Sequence, residues 1–161
     1  MTRITLLGIP QDAGSARPGC RMGPDAMRIA GIDETLRGLG HDVADHRNLE
    51  IDRAPERSHR NLAVHDLEAC TGWIKRIEPV AYELCADGQV PVFLGGDHLM
   101  AAGTVPGVAR RAKDDGAEQF VLWLDAHSDF HTLETTKSGN LHGVPVAYFT
   151  GGEGFEGYFP P

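Results

Sequence analysis

Positive charge is in short supply: 15 Lys and Arg stand against 23 Asp and Glu, a formal net charge of -8 at pH 7. A chain of that balance has no basic surplus to meet phosphates, which argues against a nucleic-acid binder. Cysteine is scarce and scattered. Cys20, Cys70 and Cys85 are odd in number and form neither a zinc-spaced cluster nor a disulfide framework, a usage that fits a reducing, cytoplasmic setting. Long apolar runs are missing as well. None reaches the roughly 20 residues of a membrane span, and "MTRITLLGIP" offers only a short apolar stretch before Pro10, too short for a secretory leader. No internal repeat or long linker divides the 161 residues, an amount of chain that suits one core.

What is present is an alternation of short apolar runs with helical patterns. Ile4–Ile9, Asp42–His46, Val90–Leu94 and Phe120–Leu124 read as strands, and all but the second are nearly continuous in apolar residues, as in strands covered on both faces. Between them, Gly23–Leu39 opens with Pro24 in its first turn and stops at Gly40, the marks of one helix. Asn61–Ala86 has apolar residues at three- and four-residue spacings, with Pro79 placed to kink or split it. Met100–Lys113 is a weaker helix, interrupted by Gly103 and Pro106. Such alternation predicts an α/β fold on a parallel sheet with right-handed crossovers. The last eleven residues, "GGEGFEGYFPP", close no element.

In an open parallel sheet, ligands bind beyond the carboxyl ends of the strands. Two of the predicted strands end there in ligating groups: "PVFLGGDH" in Asp97 and His98, and "FVLWLDAHSDFHT" in Asp125, His127 and Asp129. An extended chain would hold Asp125 and Asp129 about 13 Å apart, so a shared cation requires the backbone to curl just after Leu124. Taken singly, an Asp or His at a strand end reads as a cap, a turn residue or a surface group. Taken together, carboxylates clustered beside a dry strand repel one another unless a cation neutralises them. The oxygen-rich, thiol-free set points to a hard ion such as manganese. His98, Asp125, His127 and Asp129 nevertheless bring only two negative charges and too few donors for two five- or six-coordinate ions. Glu134 and His142, past the curl, are further candidates. Away from these motifs, His41, His46, His59 and His65 read as solvated or turn residues, Trp73 and Trp123 as core, and Arg17 and Arg21 as candidates for a site rim.

The motifs "GGDH", "DAHSDFHT" and "SGNLHGVP", in that order, together with "GIPQDAGSARPGCRMGPDAMRIAG", resemble the arginase (ureohydrolase) family, and arginase proper more than its agmatinase branch. The resemblance implies a three-layer α/β/α fold with a mainly parallel, eight-stranded sheet of the arginase/deacetylase type. It implies that His98, Asp125 and Asp129 ligate one manganese and His127 and Asp125 another, with Asp125 bridging. Two ions of Mn2+ would then lower the pKa of a bridging water to give hydroxide, which attacks the guanidinium carbon of a small substrate such as L-arginine. Asp129 and His142 would be the catalytic residues, His142 moving protons. Ser138 and Asn140 would lie in the substrate-recognition loop, beside His131, which stands where the family has an Asn that helps bind the amino acid's carboxylate.

Family members are considerably longer. Their later half holds an Asp-x-Asp motif that completes both metal sites and a Glu that meets the guanidinium, and neither is found here. Residues 1–161 therefore read as the N-terminal portion of a single ureohydrolase domain, truncated and by itself inactive or very weak. In the family's sheet two strands of the later half separate the third and fourth strands. Exposed strand edges follow, unless those two strands close together or another chain, a second copy included, fills the gap. Three alternatives stand beside the arginase reading. They are another ureohydrolase acting on agmatine or a guanidino acid, a non-catalytic metal-binding fragment, and a two-metal phosphoesterase. The last is disfavoured because the loops after Leu94 and Leu124 lack Lys and Arg until Lys137.

Overall fold

The computed structural model describes residues 1–52 and 54–161. Strand β1 (Arg3–Ile9) lies between β2 (Asp42–Asn48) and β3 (Val90–Gly95), all three parallel. Alternation along β1 sends its side chains to two separate cores. Ile4 and Leu6 pack with Val43, Leu94, Ile32 and Leu36 on one face, while Leu7 and Ile9 pack with Leu49, Trp73, Ile77 and Leu84 on the other. Helices α1 (Gly23–Ile29) and α2 (Ile32–Gly38) cover the first face, and α3 (Leu67–Leu84) covers the second with α4 (Ala101–Asp114) packed against it. The layering is helix, sheet, helix, as expected. Among the described residues no helix is long and apolar enough to cross a membrane.

Several sequence-based expectations are corrected. Gly23–Leu39 is two helices, because Gly31 sits at φ 84 in the left-handed region and ends the first run. Helix α3 starts at Leu67 rather than Asn61 and runs through Pro79 without splitting. Its first turn is capped from a distance: Glu56 Oε1 accepts from Leu67 N at 2.8 Å. Helix α4 runs unbroken through Gly103 and Pro106. Gly103 is where α4 meets α3, since a Cβ there would stand 2.7 Å from Ile77 Cβ.

The largest correction concerns Phe120–Leu124, which is not a strand. Among the described residues nothing pairs with the outer edge of β3, and Phe120, Leu122 and Leu124 are 81%, 81% and 86% exposed. Strand geometry needs a partner edge to satisfy its N–H and C=O groups, and an apolar run without one does not form a ladder. The segment instead lies beside α4, where Phe120–Leu122 and Phe93 line a cleft of about 260 Å³.

Beyond Asp125 the chain returns to the body. A third core joins Leu67, Cys70 and Ile74 of α3, Leu99 and Ala102, and Leu133, Leu141, Val144 and Ala147. The short helix α5 (Pro145–Phe149) belongs to this layer. The Gly-rich ending also folds into it: Phe155 and Phe159 are buried and stacked at 5.3 Å, and Tyr148 Oη donates to Pro160 O at 2.7 Å. His59, read from the sequence as solvated, is buried against Tyr158, with Nε2 3.3 Å from a Glu134 carboxylate oxygen. Trp123, expected in the core, is only half-buried, at the edge of the His98 ring.

Candidate metal centre

The loops at the carboxyl ends of β1 and β3 are locked together by one carboxylate. Asp97 is 5% exposed and accepts three hydrogen bonds: from Gln11 Nε2 (2.8 Å), Gly14 N (2.9 Å) and Leu99 N (2.9 Å). Burial pushes its carboxyl upward, while the bonds from Leu99 N and Gly14 N pull the other way. Gly96 makes the approach possible, because a Cβ there would stand 1.9 Å from Gln11 O. Asp97 thus points inward, away from the role of ligand for which the sequence made it a candidate. It also caps the turn His98–Met100, which carries His98.

The second group of donors arrives by the curl that the spacing demanded. Asp129 adopts φ 47, a left-handed conformation that Asp tolerates better than most residues. Its carbonyl accepts from Val146 N at 3.1 Å and Ala147 N at 3.4 Å, which pins the bend to the start of α5. Asp125 turns locally as well, its Oδ1 accepting from His127 N at 2.8 Å. That bond is the main reason its carboxyl is held below the ordinary carboxylate value. As a result one ligand atom each from His98, Asp125 and Asp129 lies within 4.8 Å of the others. His98 Nε2 and Asp129 Oδ2 are 3.3 Å apart, yet each is buried without a hydrogen-bond partner among the described residues. Two buried polar atoms left unbonded cost about 1–3 kcal/mol each. Their convergence with a second carboxylate fits a divalent cation held by one nitrogen and two oxygens.

His127 stands apart from this trio. Its side chain is 83% exposed, with Nδ1 3.4 Å from Asp125 Oδ1. His142 lies close in: its half-buried ring stacks on His98 at 4.7 Å and 23°, and its backbone N donates to Gly14 O at 3.0 Å. Burial, then the charge of His98, lowers the His142 pKa, so the ring is neutral at pH 7. His131 is on the rim, anchored by its backbone N to Gly143 O (3.1 Å), with Nδ1 3.4 Å from Thr135 Oγ1. Ser138 is exposed and its Oγ accepts from Asn140 N at 3.3 Å. Asn140 is held through Oδ1, 3.0 Å from His65 Nε2. Glu134 is occupied elsewhere, accepting from Arg60 Nε at 2.6 Å. Arg21 lines a separate acidic cleft with Asp12, Glu50, Asp52, Glu56 and Asp66.

The chain as a whole is similar to known proteins. The family model described as "Arginase family" matches residues 2–156. The chain belongs to the arginase family. It is 57% identical to the arginase of Brucella melitensis over 155 residues, covering 96% of this chain and 50% of that protein. Among solved structures it superposes on Bacillus caldovelox arginase with a TM-score of 0.81 at 36% identity, covering 95% of this chain and 50% of that one. It superposes on Entamoeba histolytica arginase, solved in complex with L-ornithine, with a TM-score of 0.77 at 26% identity, covering 90% and 47%. The chain thus spans about half the length of the arginases it matches.

Two supports of this site escaped sequence reading. The inward role of Asp97 was signalled faintly, since an Asp two residues before a backbone N–H it can bond is a turn former. Its partners Gln11 and Gly14 lie more than 80 positions away, and no local pattern announces them. His65 carries no signal in its neighbourhood "NLAVHDLEA".

Proposed function

We propose that these residues form part of a manganese-dependent amidinohydrolase site, which cleaves a guanidinium C–N bond and converts L-arginine to L-ornithine and urea. The observation that carries this reading is the convergence of His98, Asp125 and Asp129, two of whose facing atoms are buried and unbonded. The donor set is oxygen-rich and thiol-free, which favours manganese over a structural zinc. His98, Asp125 and Asp129 would hold one ion, and His127 with Asp125 would contribute to a second. When bound, the metal supplies the acidity that makes a nucleophile of water near neutral pH.

The chain's own groups do the rest. His142, neutral at pH 7 and stacked beside His98, accepts a proton on a ring nitrogen and returns it to the departing amine. Ser138 and Asn140 supply hydrogen-bonding groups at the rim for the carboxylate of the amino acid, and His131 adds an imidazole N–H there. The L-ornithine bound in the Entamoeba relative supports this substrate class. Two ions need more donors than these four side chains possess. On this reading residues 1–161 are the N-terminal portion of one ureohydrolase domain, and this chain alone turns over little or no arginine.

The test is arginine-dependent urea release in the presence of Mn2+. The purified chain is expected to stay at background, and to gain activity when mixed with a polypeptide covering the later half of the Brucella melitensis relative. Urea release by the chain alone, at a rate comparable to that complete relative, would overturn the donor shortage. The exposed position of His127 favours one second reading, a metal-binding unit without catalysis. Metal uptake with no activity in the mixture would select it. Preference for agmatine over arginine in the mixture would move the substrate to the amine branch, with His131 the first residue to examine.

A further inference from the structure

The recognition loop is clamped by a segment that the chemistry above does not use. Asn61 Nδ2 donates to Leu133 O and to Thr136 O, both at 2.9 Å. Gly139, at φ 76, is pressed so closely on the same segment that a Cβ would stand 1.7 Å from Ala63 O. His65 completes the clamp. Its Nδ1 is 2.9 Å from Asp66 Oδ2 and its Nε2 is 3.0 Å from Asn140 Oδ1. Asp66 is the N-cap residue just before α3, at φ 50.

We propose that His65 is a positioning residue for substrate recognition: bridged between Asp66 and Asn140, it holds the Asn140 amide with its NH2 group turned outward, toward a substrate carboxylate. The logic is one of donors and acceptors. A carboxylate and an amide oxygen both accept, so the bridge as drawn is closed by the imidazolium form of His65, which donates from both ring nitrogens; a neutral ring has only one N–H. With Oδ1 engaged, the two amide hydrogens of Asn140 are the free end. A donor pair on the rim selects substrates that carry a carboxylate over amines that lack one, because a mismatched substrate leaves that pair unsatisfied. The side chain of Asn140 is anchored in this way from the segment that leads into α3, while its backbone N is bonded within its own loop, to Ser138 Oγ. The inference rests on the recognition role assigned to Asn140 above and adds the residue that orients it.

The test is ¹⁵N NMR of the Asn140 side-chain NH2 in the 161-residue chain, with His65→Ala and His65→Gln variants. The expected result in the parent is a resonance pair shifted by the bond at Oδ1, its outward hydrogens still exchanging freely with water. It should fall to the free-amide position in His65→Ala and recover in His65→Gln, whose amide can donate to Oδ1. A free-amide signal in the parent, or a signal unchanged in His65→Ala, would overturn the role of His65. If His65→Ala loses all dispersion in its spectrum, His65→Gln decides alone: a shifted pair retained there supports the bridge, and a free pair contradicts it. Titration with L-arginine and with agmatine keeps the underlying reading separate. Movement of the pair with L-arginine only is expected. An ordered pair that ignores both leaves His65 as the anchor of Asn140 but refutes the outward role toward substrate.

Discussion

Val90–Leu94 and Phe120–Leu124 are similar pentapeptides, VPVFL and FVLWL, and each runs into an Asp and His motif. The first is a strand paired along β1, with Leu94 buried. The second is unpaired, with three of its five residues more than four-fifths exposed. Apolar content therefore does not by itself make a strand; among the described residues the second pentapeptide leaves the outer edge of β3 unpaired. Yet the ligands following each segment reach the same point. Asp125 and Asp129 are not positioned by a strand at all. They are positioned from the other side, by the bonds of Asp129 to α5 and by Leu133 and Leu141 in the core. The site depends on the layer behind it more than on the segment leading to it.

That contrast can be broken from either end. Leu133→Ala, in a fully buried position of the third core, should cost about 2–5 kcal/mol in urea unfolding and weaken metal binding together with it. Asp97→Ala should cost at least as much. It orphans Gln11 Nε2 and the N–H groups of Gly14 and Leu99, at about 1–3 kcal/mol for each donor that water cannot reach. Manganese affinity should fall in that variant although Asp97 is not a ligand, as equilibrium dialysis would show. Leu122→Ser should sit at the bottom of the scale, within about 0.5 kcal/mol of the parent. It should also lower self-association in sedimentation, because an exposed apolar run beside an open strand edge is sticky. A large loss of stability in Leu122→Ser would show that the segment is packed after all.

Much of the site was legible in the sequence, and the reasons are local. Continuous apolar runs marked β1 and β3, and the two-residue spacing of Asp125, His127 and Asp129 forced a curl that Asp129 at φ 47 supplies. Other features depend on distant partners and could not be read. Phe120–Leu124 has the pattern of a strand, but it pairs with no described strand. His59 and His65 looked like ordinary polar residues until Glu134 and Asn140, 75 positions further on, were found against them. The single helix expected over Gly23–Leu39 failed at Gly31 because a glycine inside a helical pattern leaves open whether the chain continues or turns.

The central claim is that His98, Asp125 and Asp129 of this chain jointly hold a divalent cation. Equilibrium dialysis of Mn2+ against the parent and the single variants His98→Ala, Asp125→Ala and Asp129→Ala tests it directly. The account predicts saturable uptake by the parent and loss of it in each variant, with the fold unchanged by circular dichroism. No uptake by the parent, or uptake that survives in all three variants, would contradict it.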